Sequence, residues 1–291
     1  MSIDVFNRLV SWRKNSTKEK LGVYIAPDAV WVFGKTTSGD VFEKKIVFKN
    51  KDWQQVFAEI SANFGAVNFE IVLSASWYQL LIIDKPNIAE NEIPLTLVWS
   101  IKDMVTIPVT DLQLDYYDSP IINRNKITVV VANKTELTPL VEAVYHHRGV
   151  ICGMTIEQLA ICNLHANSSQ VHLVISHYAD QNVLFTIVKN GQQYMQRRVR
   201  GFNDIHTMTA DDFAGDVLNN LILEVRRSMD FFESQMRQPP VHNIDILMDG
   251  ASHALAKVLA DNFVQPIKVL NNGSVGEQMA TLVYQNFKES K

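Results

Sequence analysis

The chain is 291 residues long, with 47% hydrophobic and 20% charged residues and a formal net charge of −4. That length exceeds what one small core needs and suits two lobes, and the composition is that of a soluble globular protein. Neither half carries a positive excess, which excludes general binding to a nucleic-acid backbone.

Residues 1–20 read as an N-terminal arm in which Ile3, Phe6 and Val10 share a helical face ahead of Arg13, Lys14, Lys18 and Lys20. Such an arm is read as frayed or packed on its own domain rather than laid on a membrane. It lacks the apolar core and small-residue end of a signal peptide. Leu21–Ala26, Ala29–Lys35 and Val41–Phe48 alternate as strands, the last two joined by a turn at Ser38-Gly39. Trp53, Val56, Phe57, Ile60 and Phe64 then mark one face of an amphipathic helix, and Phe69–Ala75 is a further strand. The most apolar stretch, Ile71 to Ile83, is interrupted by Ser74, Ser76 and Gln79 and is well short of the ~20 residues of a membrane span.

Residues of about 77–125 read as inserted material. Lys126–Ala132 is a strand and a helix follows to Arg148, with Pro139 expected in its first turn or at a kink. Val150–Ile156 and Glu157–His165 complete the first lobe, 21–165. The second lobe, 166–291, repeats the order. Val171–Ser176, Val183–Lys189 and Gln192–Val199 are strands, and Asn190-Gly191 is a strong hairpin turn. A helical region from about Thr209 to Arg237 stops before Pro239-Pro240. Ile244–Met248, Ala251–Phe263, Ile267–Leu270 and Gly276–Phe287 follow as strand, helix, strand and helix. The order βββ-α-β-α-β-α thus occurs twice. A domain-length repeat indicates duplication, and two such units are the plan of actin-like and Hsp70-like folds; the expected fold class is α/β, an actin-like pair of RNase H-like βββαβα lobes with an inserted small subdomain.

Catalytic signatures are missing. There is no G-x-S-x-G, no H-E-x-x-H and no phosphate-loop motif, so no catalytic residue is assigned. Cys152 and Cys162 form no CxxC, the histidines are scattered, and His146–His147 suits a helix C-terminus. No metal site is expected, and a reduced setting is the simpler one for the cysteines.

Four stretches carry a family resemblance. Asn91–Asp118, with Ile107-Pro108, Asp115 and Tyr116, resembles a segment of the PilM-like proteins of type IV pilus machines, in which an acidic helix runs into "IP" and a strand ending in Asp-aromatic. Val129–Ala160 matches at Ala132, Lys134, Gly149, Glu157 and Ala160. Leu223–Gln235 is similar to the family's E-I-x-R-S-L-D-Y-Y helix, and Ile244–Asn271 to its I-x-L-x-G-G segment. The resemblance spans roughly residues 21–285 and is strongest to the branch serving mannose-sensitive haemagglutinin (MSHA) pili.

The resemblance implies an actin-like fold whose nucleotide would be held by one hairpin turn per lobe. Both turns depart from the pattern. The first should read Asp-x-Gly but has Tyr24 for the acid, Ala26 for the glycine, and Pro27, which lacks an N–H. The second should read Asp-Ile-Gly and has Ile175-Ser176-His177-Tyr178. Asp28 and Asp180 are read as ordinary turn aspartates. Glu224, Arg227 and Gly250 match positions that face adenosine by resemblance, although Glu224 and Arg227 at i, i+3 equally suit a surface ion pair. No working ATPase and no cofactor is expected, ATP with Mg²⁺ being the one candidate. The same resemblance implies a cytoplasmic scaffold, peripheral to the bacterial inner membrane and without a span of its own. Its partners would be a PilN-like single-span inner-membrane protein, whose short tail it holds, and other components of the pilus assembly platform. Trp77, Tyr78, Trp99 and Tyr116 mark the expected groove, with Trp99 alternatively a core residue. A nucleotide-dependent regulator, a type II secretion component and an FtsA-type tether are the competing readings.

Overall fold

The computed structural model describes residues 19–35, 39–121, 125–213, 215–270 and 273–289. The N-terminal helical face at Ile3, Phe6 and Val10 and the Ser38 half of the predicted turn lie outside them. The chain divides into two compact units: residues 1–157 with 280–291, and residues 158–279. The boundary therefore falls at Glu157/Gln158 rather than at 165/166, and the C-terminal segment returns to the first unit instead of staying in the second lobe.

The first unit runs β1 (Glu19–Ile25), β2 (Ala29–Lys35), β3 (Val41–Val47), α1 (Trp53–Phe64), β4 (Val67–Leu73), β5 (Tyr78–Asp84), α2 (Ile93–Ile101), β6 (Leu112–Asp118), β7 (Lys126–Asn133), α3 (Lys134–His146) and β8 (Val150–Ile156). Its main sheet has the order β3-β2-β1-β4-β8, with β1 antiparallel to β2 and parallel to β4. β1 is central and mostly buried, while β3, at the edge, alternates exposed with half-buried residues and buries only Ile46. Helix α1 buries Trp53, Val56, Phe57 and Ile60, and Asp52 caps it by accepting from the Gln55 amide at 3.0 Å. Pro139 lies in the interior of α3, five residues past its start at Lys134, and not in the first turn; Asn133 provides the N-cap.

The inserted subdomain is a separate three-stranded sheet, order β5-β7-β6, covered by α2. Ile93, Leu97 and Ile101, one helical stripe, pack on Ile127, Val129 and Val131, alternate residues of β7. Because β7 is the central strand of this sheet, the insert extends to Asn133 and does not end near residue 125.

The second unit contains α4 (Glu157–Cys162) from Gln158 onward, then β9 (His172–His177), β10 (Val183–Lys189), β11 (Gln192–Val199), α5 (Asp216–Asp230), β12 (Asn243–Met248), α6 (Ser252–Ala260), β13 (Ile267–Val269) and the start of α7 (Val275–Glu289). Its sheet order, β11-β10-β9-β12-β13, reproduces that of the first unit strand for strand. Asn190 (φ 52°) and Gly191 (φ 67°) make the predicted left-handed hairpin turn. Helix α5 starts at Asp216, later than predicted, because the Asp212 carboxylate accepts from the amide and hydroxyl of Thr209, both at 2.7 Å, and holds that segment as a turn. A single π turn, Phe231–Gln235, prolongs it.

One half-buried acid of the first unit gives a pH signature. Burial pushes the Glu70 carboxyl on β4 up to about 7. The unfolded chain releases this proton near pH 4.5 and the folded chain holds it to about 7, so stability falls as pH rises through that window. Glu70→Gln removes the loss. Melting curves of parent and variant should coincide at about pH 4 and separate by roughly 2 kcal/mol in the variant's favour at about pH 8, after discounting for solvent screening.

Candidate peptide groove and the two turns

A cavity of about 320 Å³ lies within the first unit, where the inserted sheet meets the main body. Ser76, Trp77, Tyr78 and Gln79 line it from the start of β5, and Thr106, Ile107 and Pro108 from the loop before β6. Val131 and Asn133 contribute from the end of β7, and Glu136 from the first turn of α3. Trp77 is buried and packs on Trp53, ring centroids 5.5 Å apart. Lys51 Nζ sits 4.3 Å from the centre of the Trp77 ring and binds Glu136 Oε2 at 2.8 Å, so one lysine ties the aromatic wall to the acid at the mouth. The buried Trp77 Nε1 has no acceptor. Strand β5 is an edge of its sheet, pairing only with β7 among the described strands. A hollow of mixed polar and apolar lining beside a sheet edge suits an extended peptide: main-chain groups pair with the edge and a side chain enters the hollow.

Two of the four predicted groove residues, Trp77 and Tyr78, line this cavity; Trp99 and Tyr116 do not. Trp99 is 66% exposed on the outer face of α2 next to Leu95, 74% exposed, so it is not the core residue of the alternative reading either. Tyr116 packs against the α2–β7 core, partly buried. Ile107-Pro108, part of the family-like segment, joins the lining from the loop before β6, and no local sequence signal marks Asn133 or Glu136 for it.

The turns that would hold a nucleotide are described one unit at a time. In the first unit, Tyr24 is fully buried and its hydroxyl donates to Glu157 Oε1 at 2.8 Å. Glu157 Oε2 accepts from the Ala75 amide at 3.0 Å, and the turn closes on itself with the Ala26 amide donating to the Ala29 carbonyl at 2.9 Å. In the second unit, His177 ends β9 and its Nε2 donates to the Asn203 carbonyl at 2.9 Å. Burial and the neighbouring His206 lower its pKa to about 4, keeping the ring neutral at physiological pH. Glu224 accepts from Arg227 Nη1 at 2.9 Å and also from Arg197 Nη2, so the ion-pair arrangement is present and enlarged by one arginine. Gly250 has φ +64°, and a Cβ there would stand 2.0 Å from the His206 carbonyl oxygen, a structural demand for glycine that needs no nucleotide. Asp249, in place of the family's other glycine, accepts from the Val275 amide at 2.7 Å at the start of α7.

The histidines are less scattered in space than in sequence. His165, His172 and Asp245 of the second unit are buried together, each offering one atom able to ligate a metal. Among the described residues no helix is long and apolar enough to cross a membrane.

No family model matches the chain, and no curated protein matches it. Solved structures do. The PilM–PilN type IV pilus biogenesis complex matches with a TM-score of 0.67 at 16% identity, over 94% of this chain and 99% of the other. The cytoplasmic domain of EpsL, an inner-membrane component of the type II secretion system of Vibrio cholerae, matches with a TM-score of 0.57 at 15% identity, over 94% and 96%. A Bacteroides thetaiotaomicron protein with an actin-like ATPase fold matches with a TM-score of 0.54 at 11% identity, over 96% and 98%. The chain therefore has the actin-like fold, with the duplicated sheets and inserted subdomain described above.

Proposed function

We propose that this protein is a non-hydrolysing, PilM-like scaffold at the cytoplasmic face of the bacterial inner membrane, which docks the short cytoplasmic tail of a PilN-like protein during pilus assembly. The observation that carries the proposal is the cavity beside edge strand β5, walled by Trp77, Tyr78, Ile107 and Pro108 with Glu136 at its mouth. An extended tail would add to the edge of β5, place an apolar side chain against Ile107 and offer a basic residue to Glu136. The PilM–PilN complex, a match over almost the whole chain, joins a protein of this fold to PilN and supports the choice of partner. The MSHA-pilus (MshI-type) branch is the proposed setting, on the family-like segments of the sequence. The likeness to EpsL supports the alternative of a type II secretion component.

The test is titration with a synthetic peptide of the N-terminal cytoplasmic tail of a PilN-like protein. Binding is expected to weaken at least ~10-fold in Ile107→Ala, roughly 1.4 kcal/mol, while Trp99→Ala binds as the parent does. Unchanged binding in Ile107→Ala would move the partner elsewhere.

The absence of hydrolysis is a separate expectation. With Tyr24 occupied by Glu157 and Glu224 by two arginines, phosphate release from ATP with Mg²⁺ should stay at background and calorimetric binding should be weak. Tight, Mg²⁺-dependent binding abolished by Glu224→Ala would favour the nucleotide-dependent regulator instead.

A further inference from the structure

Three side chains of the second unit converge near the N-terminal ends of two parallel strands. His172 opens β9, Asp245 is the third residue of β12, and the strands pair in the register Asn243↔His172 and Asp245↔Val174. His165 comes from the 3-10 turn Asn163–His165 that follows α4. His172 Nδ1 lies 2.7 Å and His165 Nε2 3.2 Å from the same oxygen, Asp245 Oδ2. The ligand-capable atoms all fall within 4.8 Å of one another. Gly250 and His177 lie at the opposite, C-terminal ends of the same strands, so this cluster is separate from any nucleotide position.

Two of the converging atoms have no hydrogen-bond partner although they are buried: Asp245 Oδ1, and His165 Nε2, whose approach to Oδ2 is too poorly aligned to count as one. A carboxylate with no exposed surface and one bare oxygen requires a positive charge nearby. The two imidazoles are stacked, centroids 3.7 Å apart with 18° between planes, and two imidazolium rings would repel at that distance. A neutral imidazole offers a ring-nitrogen lone pair to a metal ion. His172 also has the support seen behind metal-bound histidines: its other nitrogen, Nε2, is hydrogen-bonded at 2.8 Å to Ser168 Oγ.

We propose that His165, His172 and Asp245 form a buried site for one divalent transition-metal ion of the zinc type, which pins the chain's entry into the second unit to strand β12. Two imidazoles and a carboxylate select this class over Ca²⁺ or Mg²⁺, which prefer all-oxygen sites. Loading turns one ring out of the stack, since each nitrogen must point its lone pair at the ion. His165, whose Nε2 makes no hydrogen bond, is the ring held by less. The role is structural: the ion replaces the proton that His172 shares with Asp245 and crosslinks segments far apart in the chain.

The experiment uses the full chain stripped with a chelator and titrated with Zn²⁺ alone by calorimetry, and with Co²⁺ followed by its visible ligand-field bands. One equivalent should bind and raise the melting temperature. His172→Ala and Asp245→Asn should each weaken binding at least ~10-fold, and the double variant His146→Ala/His147→Ala, which removes the sequence-adjacent histidine pair of the first unit, should bind as the parent does. No uptake by the stripped parent, loss of uptake in the His146/His147 variant, or parent-like binding by both site variants would overturn the proposal. If both site variants fail to fold, the parent decides: intense bands of four- or five-coordinate Co²⁺ support the site, and the weak spectrum of the hydrated ion overturns it.

Discussion

Tyr24→Asp, which restores an acid where actin-like ATPases carry one, is expected to destabilise the first unit by more than about 4 kcal/mol and to recover no nucleotide chemistry. Tyr24 sits on the central strand β1 with no exposed surface, and its hydroxyl donates to Glu157 Oε1 at 2.8 Å. Removing a buried aromatic ring costs about 3–5 kcal/mol. The replacement also places a second carboxylate close to Glu157, where two like charges cannot both remain ionised without further cost. Tyr24→Phe isolates the hydroxyl and should cost about 1–3 kcal/mol, because it leaves Glu157 Oε1 without this donor. Urea unfolding checks both: the midpoint should fall in that order with little change in slope. A Tyr24→Asp protein as stable as its parent would show that the first turn is still open to a carboxylate and a metal.

Gly22→Ala is expected to cost about 3 kcal/mol or more, a large effect for a single methyl group. A Cβ at Gly22 would stand 2.1 Å from the Ala280 carbonyl oxygen and 2.7 Å from the Tyr284 amide nitrogen. Both are backbone atoms of α7, so relief requires moving the helix, and overpacking of this kind is costly. The edge-on contact between Phe33 and Tyr284, centroids 5.2 Å apart, would be lost with it. Gly34→Ala is the comparison. Its Cβ would meet the Leu21 Cδ2 methyl at 2.3 Å, the end of a flexible side chain, together with the Lys20 carbonyl oxygen at 3.1 Å. Its cost should be the smaller of the two. Thermal melts rank the pair, and limited proteolysis should show α7 released first in Gly22→Ala.

The strands and their duplication were legible because alternation and short β-branched runs record which residues face a core, and because Asn190-Gly191 carries its turn chemistry locally. What failed to show depends on pairing between distant segments. The apolar run of β7 is buried along almost its whole length, and such a run does not say which sheet it joins. Helix α2 is apolar on two faces. Ile93, Leu97 and Ile101 turn inward while Leu95 and Trp99 stay outside, a choice fixed by β7 and not by the helix itself. Two residues of the cavity, Trp77 and Tyr78, were visible as aromatics at the start of the insert. Ile107 and Pro108 reach the same cavity only through the fold of the loop before β6. His172 and Asp245 are brought together by the parallel pairing of β9 and β12, which no local spacing records.

The central claim, that the first unit holds an extended partner tail beside β5, is tested most directly by amide hydrogen exchange of the full chain with and without the tail peptide of the PilN-like protein. Added protection is expected at residues 76–84 and 106–109, where the cavity and the edge strand lie, with the second unit unchanged. Protection confined to residues 158–279, or no protection at saturating peptide, would contradict the account.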